Sequence, residues 1–431
     1  MMLKAAGSDD ELDPMGCCLP LWMPRRLQRP GEKGVALIEH EGRQLYPHCV
    51  SDTIDCHLVL LPQDLQAQLL LLLPIKALCS LRGAASLFRM HCDAILRQRV
   101  PASHREFELL KVIGRLQGYG TIMQVRQRYT DNVFAMKVCK KEGIFQRNDP
   151  KDLAHALAER HVFSLSGCQA HPFILACQFA FHTPANLYYI LEFCSGGDLY
   201  FHLSRKKSFK EPHARFYTAE MACALEHLHA LGVVCRDLRP ESVLLRGDGH
   251  VKLAAFGLSK QIGDGRADTF CGTPIYMACE IWNRQPYSYA VDWWALGCVL
   301  YELICGLPLF WGETLKDVFK LVSARSAFSF PSRMTAACRS IIEGLLVKDP
   351  AARLTGEAAK SHAFFSDVDW HALLACTVPA PFQFGSPTST EHLPKAFTAC
   401  KPIDPEVASE EARALSDEQQ AHFESFTFVR G

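Results

Sequence analysis

The chain has 431 residues, 48% hydrophobic and 21% charged, with 46 basic and 46 acidic side chains. This length and composition fit a globular protein of two or three domain-sized units and exclude a disordered one. A formal net charge of +0 offers no bulk attraction to polyanions, so no nucleic-acid partner is expected. The 19 cysteines are scattered without metal-ligand spacing, which fits a reduced, cytoplasmic chain better than a disulfide framework. No apolar run approaches the ~18 residues of a membrane span, and no secretory signal is expected.

Residues 1–55 show little periodicity and read as an irregular leader. Within it, Met15-Gly16-Cys17-Cys18 precedes Arg25, Arg26 and Arg29, so a membrane contact is expected only if Cys17 or Cys18 is lipidated. Residues 56–100 are leucine-dense, and their helical spacing predicts two or three short helices. The runs Leu61-Pro62-Gln63-Asp64-Leu65, Lys76-Ala77-Leu78, Leu81-Arg82 and Ser86-Leu87-Phe88-Arg89 resemble an F-box. That resemblance implies a helical peg, residues 61–89, docking a Skp-type adaptor of a cullin ubiquitin ligase. A plain amphipathic extension packing on the rest of the chain is the alternative.

From Phe107 the pattern changes. Phe107 to Gly114 predicts a strand running into a turn with Gly114, Gly118 and Gly120, followed by Ile122. Phosphates need close approach to backbone amides, which glycine permits, although Gln117 and an extra residue break a regular GxGxxG. Val133-Phe134-Ala135-Met136-Lys137 is a short apolar strand ending in a cation, and Glu159, on a predicted helix, is its natural partner. Leu187 to Leu191 predicts a further strand, running through Glu192 and Cys194 to a glycine break and a helix start at Asp198. Cys235-Arg236-Asp237-Leu238-Arg239-Pro240-Glu241-Ser242 follows, with Leu244 just beyond, and then Ala255-Phe256-Gly257. Later come Asp268-Thr269, Thr273, Glu280, Asp292-Trp293-Trp294 and Arg353. The proline-rich stretch 366–431 ends in His422-Phe423-Glu424-Ser425-Phe426-Thr427-Phe428.

In this order the motifs resemble the AGC group of serine/threonine protein kinases across 107–428. The resemblance implies an α+β, two-lobed fold. A small β-rich lobe with one helix would span 107–193, a helical lobe would follow to 365, and an AGC-type tail would occupy 366–431. It implies that ATP is held by Gly114, Gly118, Gly120, Ile122, Ala135, Lys137, Glu159, Glu192, Cys194 and Leu244, with Asp198 facing ribose or a basic substrate. Asp237 would accept a hydroxyl proton, and Arg239 stands where a lysine is usual. Arg236 would bind an activation loop phosphorylated at Thr269 by an upstream kinase. Phe423, Phe426 and Phe428 would fill a groove beside the Glu159 helix, with Thr427 as a second phosphosite. Lys401-Pro402-Ile403-Asp404-Pro405 resembles a degraded turn motif. Glu280 would pair with Arg353.

Two departures decide the expected chemistry. Ser242 replaces the asparagine, and Ala255 the aspartate, that hold magnesium in this family. Asp237 and Ala255 are 18 residues apart, so the alignment is not slipped, and Lys252 to Lys260 contains no carboxylate. Every ~1.4 kcal/mol is tenfold in rate, so losing ~4 kcal/mol of metal stabilisation costs roughly a thousandfold. The expectation is a pseudokinase that signals or scaffolds, binding ATP weakly and magnesium doubtfully, with a protein substrate or signalling partner. An active kinase for basic protein substrates and an F-box adaptor are the alternatives.

Overall fold

The computed structural model describes residues 103–116, 120–128, 130–146, 150–168, 171–254, 256–324, 328–407 and 415–429. Gly118, Ala255, Cys17, Cys18, the leader and the F-box-like segment 61–89 lie outside the described residues. The chain divides into two compact units, and all described residues belong to one of them.

Valine, isoleucine and aromatic residues build the sheet, as their fit to a pleated surface favours. Strands β1 (Phe107–Leu116), β2 (Gly120–Gln127) and β3 (Val133–Lys140) form consecutive antiparallel ladders, with Phe107 opposite Gln127. Helices α1 (Lys141–Gln146) and α2 (Pro150–Cys168) precede β4 (Cys177–His182) and β5 (Asn186–Glu192). Side chains alternate across the sheet. Met136, Val138, Tyr188 and Ile190 pack in a small outer core, whereas Ala135, Cys139, Leu187, Tyr189 and Leu191 face the main core.

The small lobe differs from its expected outline in three ways. β3 runs on past Lys137 to Lys140, because Val138 and Cys139 continue the ladder against Tyr188 and Leu187. Two helices, α1 and α2, cross it rather than one. The sheet also has a sixth strand, β10 (Phe428–Val429), in the order β1-β2-β3-β5-β4-β10, so the far end of the tail completes the lobe.

The large lobe is helical, through α3 (Leu199–Lys206), α4 (Glu211–Ala230), α5 (Cys279–Trp282), α6 (Ala290–Cys305), α7 (Leu315–Ala324), α8 (Ala336–Leu345), α9 (Gly356–Lys360) and α10 (Trp370–Leu374). Helix α6 is apolar almost all round and is the lobe's buried axis, with Trp293, Trp294, Leu296, Val299 and Leu300 in the core. Two short ladders, β6 (Val233–Val234) with β9 (Lys260–Gln261) and β7 (Val243–Leu245) with β8 (Val251–Leu253), carry the loops between the lobes. Helices α11 (Lys395–Thr398) and α12 (Asp417–Ala421) lie in the tail. Among the described residues, no helix is long and apolar enough to cross a membrane.

Glu280 and Arg353 meet in the interior through two bonds of 2.7 and 2.9 Å, and Arg353 also donates to the Ala290 and Val347 carbonyls. Removing one member of such a pair strands a buried charge. Arg353→Ala is expected to cost about 3–5 kcal/mol in urea unfolding; a loss below about 1 kcal/mol would contradict the role assigned to the pair.

Candidate functional site

The site is built first from the sheet. β3 carries Lys137 and α2 carries Glu159, and the ammonium lies 2.6 and 2.7 Å from the two carboxylate oxygens. The pair is shielded from water and the Tyr189 ring lies beside it, 5.5 Å from the lysine nitrogen, so it is stronger than a surface ion pair. Above it, Gly114 pairs with Ile122 across the β1–β2 ladder. Gly120 sits so close to β3 that a Cβ would fall 2.2 Å from the Val138 carbonyl oxygen. Ala135 is buried on the adjacent strand. At the end of β5 the Glu192 carboxylate accepts from the Ala176 amide at 2.7 Å and from Lys252 at 2.8 Å. Cys194 is buried, which pushes its thiol well above the usual range. Asp198 caps α3, accepting from the Phe201 amide at 2.7 Å, and bridges to Leu244. Burial pushes its pKa up to about 6.

The loop after β6 is held by Asp292, which accepts from the Cys235 amide at 2.9 Å, the Arg236 amide at 2.8 Å and the His229 ring at 2.8 Å. Asp237 then accepts from the Thr273 amide at 3.1 Å and its hydroxyl at 2.6 Å. The Arg239 Nε lies 3.6 Å from the other Asp237 oxygen, an ion-pair distance rather than a hydrogen bond. Burial raises the Asp237 pKa, against the pull of Arg239 and Thr273. Ser242 turns its hydroxyl onto the loop itself: it accepts from the Arg239 amide at 3.0 Å, with the Arg239 carbonyl at 2.8 Å and the Asp237 carbonyl at 3.2 Å as acceptors. Its own carbonyl accepts from the Ala254 amide at 3.0 Å. Phe256 packs edge-on against Phe163 of α2, with ring centroids 5.6 Å apart. Among the described residues, no group of three or more His, Cys, Asp or Glu could hold a metal ion.

Sequence reasoning passed over several participants. Tyr287 links Arg236 to the activation segment: its hydroxyl accepts from Arg236 at 3.1 Å and donates to the Thr269 carbonyl at 2.7 Å. Glu241 and Glu302 join Asp198 as an acidic group. One Glu241 carboxylate oxygen is buried with no hydrogen-bond partner. Glu302 accepts from the Tyr276 hydroxyl at 2.6 Å, and burial pushes its pKa up to about 7. Glu241 stands inside the run Cys235 to Ser242, and its acidity is the available signal.

The tail reaches the same lobe. Phe423 and Phe426 are 0% and 1% exposed, meeting Phe145 and Tyr189 edge-on at 6.1 and 5.1 Å. Arg160 donates to the Phe426 carbonyl at 3.2 Å and lies over the Phe428 ring, while Thr427 is exposed. In the degraded turn motif, Asp404 pairs with His104 at 3.0 Å. The stronger anchor is the next acid, Glu406, which accepts from Thr183 at 2.8 Å, Asn186 at 2.9 Å and Tyr188 at 2.6 Å.

A β-rich lobe over a helical lobe, with an oriented lysine and a held aspartate between them, defines a two-lobed kinase fold. Residues 107–365 match the protein kinase domain family, and the chain belongs to it. Serine/threonine-protein kinase YPK1 of Saccharomyces cerevisiae is 39% identical over 336 residues, 76% of this chain and 48% of that protein. Protein kinase 2 of Dictyostelium discoideum is 38% identical over 342 residues, covering 77% of this chain and 69% of its own length. The RAC family serine/threonine-protein kinase homolog of the same organism is 37% identical over 330 residues, 75% of this chain and 72% of its own. The chain thus spans about half of the yeast relative and more of the other two. Its homologues are serine/threonine kinases of AGC type.

Glu406→Ala would remove the acceptor of the Tyr188 hydroxyl and the shortest of the Asn186 side-chain amide's bonds. Each such loss costs about 1–3 kcal/mol, so the melting temperature should fall and protease should cut the 395–407 segment sooner. Unchanged melting and proteolysis would remove Glu406 as the tail's anchor.

Proposed function

We propose that the chain is a kinase-fold signalling module that binds ATP and a basic protein segment, with phosphoryl transfer absent or severely reduced. One observation carries this: Ser242 spends its hydroxyl on its own loop, and position 255, where the family supplies a carboxylate, is an alanine whose methyl group offers no oxygen. Magnesium binding is therefore doubtful in this reading. ATP would be held by Gly114, Gly118, Gly120, Ile122 and Ala135 around the Lys137–Glu159 pair, by Glu192 and Cys194 in the hinge at the end of β5, and by Leu244 of β7. When bound, ATP supplies the transferable γ-phosphoryl group. Asp237 is the group that would take a hydroxyl proton, and Asp198, Glu241 and Glu302 would attract arginine or lysine. Thr269, read through Arg236 and Tyr287, and Thr427 are the proposed phosphosites.

An active serine/threonine kinase is the second reading, favoured by a specific observation. The Lys137–Glu159 pair, the Asp237–Thr273 bonds and the Phe256–Phe163 packing are all in place, so the frame is assembled even where metal ligands have changed. For the N-terminal region we propose a Skp-type adaptor contact at 61–89. Pull-down by the adaptor, lost on Leu61→Ala/Pro62→Ala, tests it, and no capture by the wild type rejects it.

A thermal-shift titration with ATP is expected to stabilise the protein equally with and without magnesium. In a γ-phosphate transfer assay, the wild type should be about a thousandfold slower than Ala255→Asp/Ser242→Asn. Wild-type transfer that Asp237→Asn abolishes would establish the active reading instead. The raised Asp198 and Glu302 groups are neutral when acidic and anionic above their pKa values. Affinity for an arginine-rich peptide should therefore rise as pH passes from about 5.5 to 7.5. A flat profile would remove these carboxylates from the peptide site.

A further inference from the structure

Away from the nucleotide cleft, α3 and the tail border an open recess of about 360 Å³. From α3 come Phe201, His202, Arg205 and Lys206; from the tail come Phe382, Phe384 and His392, with Gln383 between them. The rings are mutually packed: His202 lies 4.9 Å from Phe384 and 5.8 Å from Phe382, and Phe384 lies 4.7 Å from His392. Arg205 sits 4.0 Å over Phe201 and Lys206 4.7 Å over Phe382. Both cations are exposed, and no carboxylate lines the recess.

Aromatic walls select a flat ring, since ring faces and edges attract one another. Two exposed cations at the rim, with no acid to neutralise them, select an anion and repel a base. The volume lies at the small-molecule end of the range of about 300–1,000 Å³ typical of ligand sites. We propose that this recess binds a small aromatic acid, with its ring among Phe201, Phe382 and Phe384 and its carboxylate at Arg205 and Lys206.

The site would act on the tail and the hinge. His202 bonds the Gly196 carbonyl at 2.6 Å through Nε2, leaving Nδ1 as its other ring nitrogen. Gly196 and Gly197 have no room for side chains: a Cβ would fall 2.6 Å from the Phe384 ring at the first, and 2.2 Å from the His392 carbonyl oxygen at the second. Beyond the recess the tail crosses to the other lobe, where the Thr388 carbonyl accepts from Gln124 at 2.8 Å and the Thr390 hydroxyl from Lys111 at 2.9 Å. β1 and β2, which carry Lys111 and Gln124, flank the glycine turn. A ligand in the recess would hold 382–392 between the two lobes, whether or not the chain transfers phosphate.

The test is calorimetric titration of the full chain with 1-naphthoate, with the neutral 1-naphthalenemethanol as comparator. Saturable binding of one naphthoate is expected, about tenfold tighter than the alcohol, the scale of one charge-assisted contact. Arg205→Gln/Lys206→Gln should weaken naphthoate by at least about tenfold with an unchanged melting temperature, whereas Lys210→Gln, an exposed cation outside the recess, should not. Amide exchange in 382–392 should slow when naphthoate binds. The proposal is overturned by no saturable binding, by equal affinity for acid and alcohol, by equal affinity in the double variant, or by binding that leaves exchange in 382–392 unchanged.

Discussion

One buried carboxylate sets the geometry of the cleft. Asp292 has no exposed side-chain surface and receives two successive amides, of Cys235 and Arg236, together with His229. Those bonds hold Arg236 at φ +71°, a left-handed conformation that costs a non-glycine residue about 1 kcal/mol or more. The bend sends the Arg236 side chain toward Tyr287 and leaves Asp237 facing Thr273. None of this involves the positions that normally carry metal. The Ser242 hydroxyl adds its own bonds to the same loop, to the Arg239 amide and to the Arg239 and Asp237 carbonyls, so residue 242 serves the framework here.

Much of this was legible in the residues, because the fold depends on ordered motifs at long spacing. The Lys137 strand, the Glu159 helix, the capping Asp198 and the Glu280–Arg353 pair were all readable as types of residue in a particular order. The outline of the small lobe was less so. A two-residue strand such as Phe428–Val429 has no period to detect, and it exists only because β4 offers an unpaired edge. The same holds for α1, which is six residues long. The anchoring role of Glu406 was hidden because a lone acid next to a proline reads as surface until its three donors are seen converging on it. Tyr287 gave no local signal, since its hydroxyl acts between segments 18 and 51 residues away.

The tail is an integral part of the domain. It contacts the β7–β8 turn through the Phe384 amide and the Gly247 carbonyl, β1 and β2 through Lys111 and Gln124, and β5 through Glu406. Its aromatic end then fills the cradle between α1, α2 and the sheet. Contacts to both lobes from one tail couple their relative movement, and the coupling runs through the Thr388 carbonyl, the Thr390 hydroxyl and the Glu406 carboxylate.

The closing strand has a practical corollary. Pairing of Phe428 and Val429 with Ala180 and Phe179 caps a sheet edge, and Phe423 and Phe426 plug the apolar hollow beside it. A shortened version ending before residue 423 would present a bare edge and a greasy cavity together, the combination that invites aggregation. Such a truncation would be a poor tool for isolating the two lobes, since its behaviour would report self-association of exposed β4 rather than the properties of the cleft.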